Sequence, residues 1–329
     1  MLAKLITHIA ILMFISFPVM ADEWREREQV RNSTVEMFYD ENYTQIESTS
    51  RQYRESEERF ESGIWKLSEY YKGFADYARD PYLWDSTIAK LNNQTNELVN
   101  RYPSSPGAVV FRAEFLYSSA WRIRGGGPAR NVAPEIWPVF YERIQETIDF
   151  LEDNHEVGRA DPEWYNLLAG AYWTKGDRNT AHALLWQGLE DFPGYYNLYF
   201  TAGLYQSPQW GGDGALIELF ANRAVDHSRE TEGTGMYVRI YWSASSVRPL
   251  REYFFSAPFM NWNKMKESMY DVLDRYPSDW NAQDFAFFAC LKDDSELAKD
   301  MLDRMEEGPI DSVWSREISF ENCLDIANR

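Results

Sequence analysis

Apolar residues recur at three- and four-residue steps along most of this chain, the spacing of one face of a helix. Val35, Phe38, Tyr39, Tyr43 and Ile46 open the pattern, and Phe60, Ile64, Trp65, Leu67 and Tyr71 continue it, which predicts two N-terminal helices. Residues 91–99, 108–121, 196–205, 215–227 and 265–273 each read as a further helix. Three amphipathic stretches end alike, on an aliphatic residue, two polar residues, an aromatic and a proline. The copies are Val99-Asn100-Arg101-Tyr102-Pro103, Leu189-Glu190-Asp191-Phe192-Pro193 and Leu273-Asp274-Arg275-Tyr276-Pro277. Proline has no N–H for the next helical bond, and it pushes the preceding residue out of helical geometry. A helix-ending device used three times marks a helical repeat array.

The clearest unit is 162–195, which fits a tetratricopeptide hairpin. Small residues at Ala169, Ala181 and Gly188 let two antiparallel helices approach, and Tyr165, Leu168, Tyr172 and Leu185 fill the gaps. Gly176 marks the turn and Pro193 the exit. A second unit starts near Asp279. Ala282, Phe285, Ala286 and Ala289 line its first helix, and Ala298, Leu302 and Met305 its second, with Asp293-Asp294 replacing the turn glycine. The expected fold is all-α: a tetratricopeptide-like helical-hairpin array, an α-solenoid, over 91–329, preceded by an N-terminal helical segment over 22–90. Two Gly-rich insertions interrupt it, Arg122-Ile123-Arg124-Gly125-Gly126-Gly127-Pro128 and Ser207-Pro208-Gln209-Trp210-Gly211-Gly212-Asp213-Gly214.

Residues 1–21 read as a secretory signal: Lys4, an apolar run over 5–17, the break at Pro18, then Val19-Met20-Ala21 before Asp22. The run is shorter than the roughly 20 residues that span a bilayer, so cleavage after Ala21 and a periplasmic or secreted location are expected. No cysteine follows the signal to carry a lipid anchor, and no later segment is apolar enough to span. Losing Lys4 takes the net charge from −19 to about −20. Such a chain is a poor partner for nucleic acid or anionic lipid, and suits a soluble protein or one that meets basic partners. The two cysteines, Cys290 and Cys323, would both be exported, and an even count in an oxidising compartment predicts a disulfide tying the last helical segment to the preceding repeat.

The chain resembles a group of uncharacterised exported bacterial proteins, domain of unknown function family 4034. The likeness is carried by Gly63-Ile64-Trp65-Lys66-Leu67, Tyr102-Pro103 with Ser105-Pro106, and Ala120-Trp121-Arg122-Ile123-Arg124-Gly125. Pro208-Gln209-Trp210-Gly211-Gly212 and Tyr237-Val238-Arg239-Ile240-Tyr241-Trp242 complete it. The resemblance implies a tetratricopeptide-like domain and no activity.

Candidate chemistry is sparse. His155, His182 and His227 have no partner at metal-ligand spacing, so no metal and no cofactor are expected. No nucleophile motif occurs, and the many carboxylates mark no particular pair. The triple glycine with Arg122 and Arg124 lacks the Lys-Ser/Thr of a phosphate loop. Aromatic residues make up 16% of the chain, and several fall beside the insertions. Breaks in successive repeats tend to emerge on one edge, so Trp121, Arg124, Trp210, Tyr237 and Trp242 are expected to border a binding groove. The competing expectation is that these residues only cement the insertions to the array. The leading functional expectation is an exported binding or scaffold protein for a protein, peptide or glycan partner in the envelope. The rival is a glycan- or peptide-processing enzyme using carboxylates near the Trp210 loop.

Overall fold

The structure is a computed structural model. It describes residues 23–246, 248–256, 259–306, 308–314 and 317–329, so the expected signal lies outside the described residues. Among these residues there are eighteen α-helices and no strand. They are α1 (Glu23–Tyr39), α2 (Tyr43–Ser56), α3 (Lys66–Arg79), α4 (Asp85–Arg101), α5 (Pro106–Arg124), α6 (Ile136–Asp153), α7 (His155–Gly158), α8 (Pro162–Lys175) and α9 (Arg178–Asp191). There follow α10 (Tyr196–Leu204), α11 (Gly214–Glu232), α12 (Met236–Ala244), α13 (Arg248–Ser256), α14 (Trp262–Arg275), α15 (Asp279–Leu291), α16 (Ser295–Asp303), α17 (Asp311–Trp314) and α18 (Phe320–Ala327). The chain is an all-α helical-hairpin array.

The repeated aromatic-proline device has one backbone geometry. Tyr102, Phe192 and Tyr276 cap α4, α9 and α14 with φ/ψ of −127°/62°, −134°/64° and −134°/73°. Each donates its N–H to the carbonyl four residues back and then leaves the helical region, as the following proline demands. The next helix starts within a few residues, with Ser105 and Ser278 as side-chain N-caps of α5 and α15.

The hairpin of α8 and α9 has the expected interior: Tyr165, Leu168, Ala169, Ala181 and Leu185 are buried. Gly176 makes the turn at φ +89°. A Cβ on Gly188 would lie 2.9 Å from the Tyr165 side chain, so glycine sets the helix separation there. In the hairpin of α15 and α16, Asp293 takes the left-handed slot at φ 54° and Asp294 caps α16. Helices α3, α5, α8, α10 and α12 pack on one another in succession as an inner layer. Cys290 on α15 and Cys323 on α18 are disulfide-bonded, with Cα atoms 5.6 Å apart.

The N-terminal segment forms three helices where the periodicity predicts two. Glu41 at φ 55° and the Asn42 N-cap break the first expected helix, and Tyr39, placed by its spacing on the apolar face, is exposed. A periodic count continues through such a turn without registering it, because α1 and α2 both bury apolar faces: Val30 and Phe38 on one, Tyr43 and Ile46 on the other.

Candidate functional site

Four successive inner helices each turn one stripe of side chains toward a common cavity of about 580 Å³. Helix α3 supplies Ala75 and Arg79, and α5 supplies Glu114, Tyr117 and Trp121. Helix α8 supplies Glu163, Asn166, Gly170, Trp173 and Thr174, and α10 with its exit supplies Thr201, Leu204 and Tyr205. These are three- and four-residue steps, the interval that keeps side chains on one helix face. Both Gly-rich insertions reach the cavity, through Gly125, Gly126 and Trp210.

One wall is aromatic. Trp173 and Tyr205 stack with centroids 4.0 Å apart, and Trp210 stands edge-on to Tyr205 at 5.8 Å. Trp121 packs edge-on against Phe140 at 5.2 Å. Gly170 lets α8 approach, since a Cβ there would meet the Tyr117 hydroxyl at 3.1 Å. Trp121 and Trp210 are both half-buried, and the indole N–H of Trp210 is buried without a hydrogen-bond partner among the described residues.

Two buried carboxylates also line the cavity. Glu163 accepts hydrogen bonds from the Tyr195 hydroxyl at 2.6 Å and from Asn166 Nδ2 at 2.7 Å. Burial pushes its carboxyl up to about 8, with Glu114 and Asp161 adding to the effect and the two neutral donors opposing it. Glu114 accepts from the Ser118 hydroxyl at 2.5 Å and lies 4.0 Å from Arg79. Burial raises it too, against the pull of Arg79 and Ser118. Asn166 Oδ1 is buried and has no partner among the described residues. At the rim, Arg122 donates to the Asp80 and Leu83 carbonyls, fixing the loop that carries Pro81.

The structure brings together two of the five residues expected to share a groove, Trp121 and Trp210. Arg124 donates to the Gly125 and Gly127 carbonyls and stacks on Trp121 and Trp137, so its guanidinium secures the glycine loop and does not line the cavity. Tyr237 is a correction: it is buried, gives its hydroxyl to Glu218 and receives the Asn261 N–H. It touches a separate hollow of about 300 Å³ with Lys264 and Glu267. Trp242 is half-buried, stands 6.2 Å from the Phe285 ring, and does not line the Trp121–Trp210 cavity. Helix α12 belongs to the next unit of the inner layer, and a residue beside an insertion in sequence need not face the space that insertion borders.

Glu114, Glu163 and Asn166 are cavity residues that neither motif nor spacing singles out. A signal is present all the same: Glu114, with Arg112, interrupts the apolar run from Ala108 to Leu116, and Glu163, Asn166 and Gly170 form a polar or small stripe along a helix rich in aromatic and aliphatic residues. Among the described residues no cluster of three or more His, Cys, Asp or Glu could hold a metal ion, and no helix is long and apolar enough to cross a membrane. Comparison with protein-family models, with curated proteins and with solved structures finds no match for the chain.

Proposed function

We propose that this is an exported binding or scaffold protein that receives part of a protein, peptide or glycan partner in the cavity between α3, α5, α8 and α10. The observation that carries this reading is the convergence of both Gly-rich insertions and four helix faces on one hollow. Its size of about 580 Å³ falls among ligand sites, and its lining is mostly apolar with a few placed polar groups. The disulfide supports a location in the periplasm or outside the cell. The resemblance to the family of exported proteins fits that location and adds no activity.

A processing enzyme is the second reading, favoured by the Glu114–Glu163 pair. Acid–base hydrolysis needs one carboxyl protonated and its partner ionised at the same pH, so the two pKa values must lie apart. Here burial pushes both upward. Binding is the better reading because it uses the aromatic wall and both insertions, which a carboxylate pair alone does not.

The test is Trp210→Ala. Trp210 is half-buried at the end of a short 3₁₀ turn, so the variant should keep its helix content by circular dichroism. It should lose binding to members of a mixed peptide and glycan pool that the wild type retains. Truncating an aromatic anchor costs about 2 kcal/mol or more, which is over tenfold in affinity. Unchanged retention by both Trp210→Ala and Trp121→Ala would remove the cavity as the binding site.

A further inference from the structure

We propose that this cavity is a site for an ammonium group on the ligand, taken up by the carboxylates of Glu163 and Glu114. The proposal rests on the binding reading above and narrows it to a peptide that presents an amine.

Two buried carboxylates, Glu114 and Glu163, line the cavity. Glu163 is held by the neutral donors Tyr195 and Asn166, and no Lys or Arg among the described residues is paired with it. Asn166 spends its amide N–H on Glu163, which leaves Oδ1 facing no donor among those residues. Glu114 has the Ser118 hydroxyl and, at 4.0 Å, Arg79, whose side chain is half exposed. A buried carboxylate without a cation must take up a proton or be supplied with a positive group from outside. An ammonium on a ligand is such a group. The aromatic wall of Trp121, Trp173, Tyr205 and Trp210 adds ring electron density and takes apolar side chains. Arg79, 4.0 Å from Glu114, and Arg122 line the same cavity and offer donors to peptide carbonyls or a carboxylate. The net charge of −19 attracts amine-bearing ligands over longer range.

Proton balance follows from the groups that face Glu163. These are Tyr195 from the start of α10, Asn166 on its own helix, Asp161 at the α8 N-cap, and Glu114 from α5. Asp161 is already paired with Arg54 at 3.2 Å and Tyr71 at 2.6 Å. Glu163 is therefore the group that holds a proton in the empty site near neutral pH. Its carboxyl releases that proton when the ammonium arrives. Affinity for a lysine-bearing peptide should rise by up to about tenfold for each pH step below pH 8 and level off above it, whereas affinity for a free amino terminus, which itself loses its proton near pH 8, should fall again above it.

The experiment uses the full mature chain, immobilised, and three synthetic tetrapeptide pools read by mass spectrometry. One has free amino termini and no lysine, the second is the same pool N-acetylated, and the third is N-acetylated with one internal lysine. Retention of the first or third pool, with the second retained at least tenfold less, supports an ammonium site and says whether the amine is terminal or on a side chain. Glu163→Gln should lower that retention and flatten its dependence between pH 6 and 8. Equal retention of the second pool overturns the ammonium site and leaves the cavity reading standing. No retention of any pool overturns both. Glu163→Gln with an unchanged pH profile overturns the assignment of the proton.

Discussion

Glu163 sits inside the protein with two neutral hydrogen-bond donors and, among the described residues, no counter-ion, and that fixes a sign. Its folded-state pKa, about 8, lies above the ordinary value of 4.5. Between these values the folded chain holds a proton that the unfolded chain has lost, so stability falls as pH rises from 4.5 to 8 and is flat outside that window. The full loss is at most about 5 kcal/mol, since each tenfold change in proton affinity is worth about 1.4 kcal/mol. Glu163→Gln removes the titration while keeping the shape. The variant should match the wild type at pH 4.5 and be more stable at pH 8 by about 2 kcal/mol or more, read from urea midpoints at both pH values. A difference between wild type and variant that stays constant across this window would mean the carboxyl is hydrated. A single residue of this kind is hidden in the sequence because it is one of 52 acidic residues. Only its place on an inner helix separates it from the solvated majority.

At the scale of the element, the hairpins are the most legible part of the chain. The register alone places Ala181 at a close helix contact, and it is fully buried. Ala181→Trp should overpack α8 against α9 and cost about 1–3 kcal/mol, lowering the midpoint of thermal unfolding. An unchanged midpoint would mean the two helices can part without cost. The aromatic-proline ends are legible because proline acts through covalent geometry, which does not depend on the neighbours a fold supplies. The break between α1 and α2 is not, because a one-residue left-handed turn at Glu41 leaves no glycine or proline to announce it. At the other terminus α18 is short and depends on its neighbours α15 and α16 and on the Cys290–Cys323 bond. Replacing both cysteines with serine opens a 33-residue loop. It should cost about 3–4 kcal/mol, measured against the wild type under non-reducing conditions. The same wild type should show no free thiol to an alkylating reagent before reduction.

Across the whole molecule the sequence divides the chain near residue 90, but the packing joins the two sides. Arg239, on α12, is completely buried and donates to the Ser62 carbonyl at 2.8 Å. Its guanidinium lies over the rings of Tyr196 and Tyr276, at 4.7 and 5.3 Å. Glu232 lies 3.9 Å away and accepts hydrogen bonds from both tyrosine hydroxyls. Gly63, at φ +95°, leaves the room this requires, since a Cβ there would fall 2.9 Å from the guanidinium. Arg54 and Tyr71 make a second tie to Asp161, and Arg27 lies over Trp280 at 4.9 Å. The N-terminal helices are therefore bound to α8, α12 and α15 through buried polar contacts, which hydrophobic periodicity cannot reveal because it registers only apolar positions. Arg239→Met would take from the buried Glu232 the cation it is paired with. Breaking a buried pair from one side costs about 3–5 kcal/mol, whereas removing both charges costs far less. Arg239→Met should therefore lower the urea midpoint sharply, and adding Glu232→Gln should recover part of the loss. If the segment 23–79 and the array fold as one unit, proteolysis within α1–α3 and loss of helix content will shift together in both variants. Separate transitions, with the array unfolding at its wild-type midpoint, would show instead that the two sides are independent domains and that Arg239 only fastens one to the other.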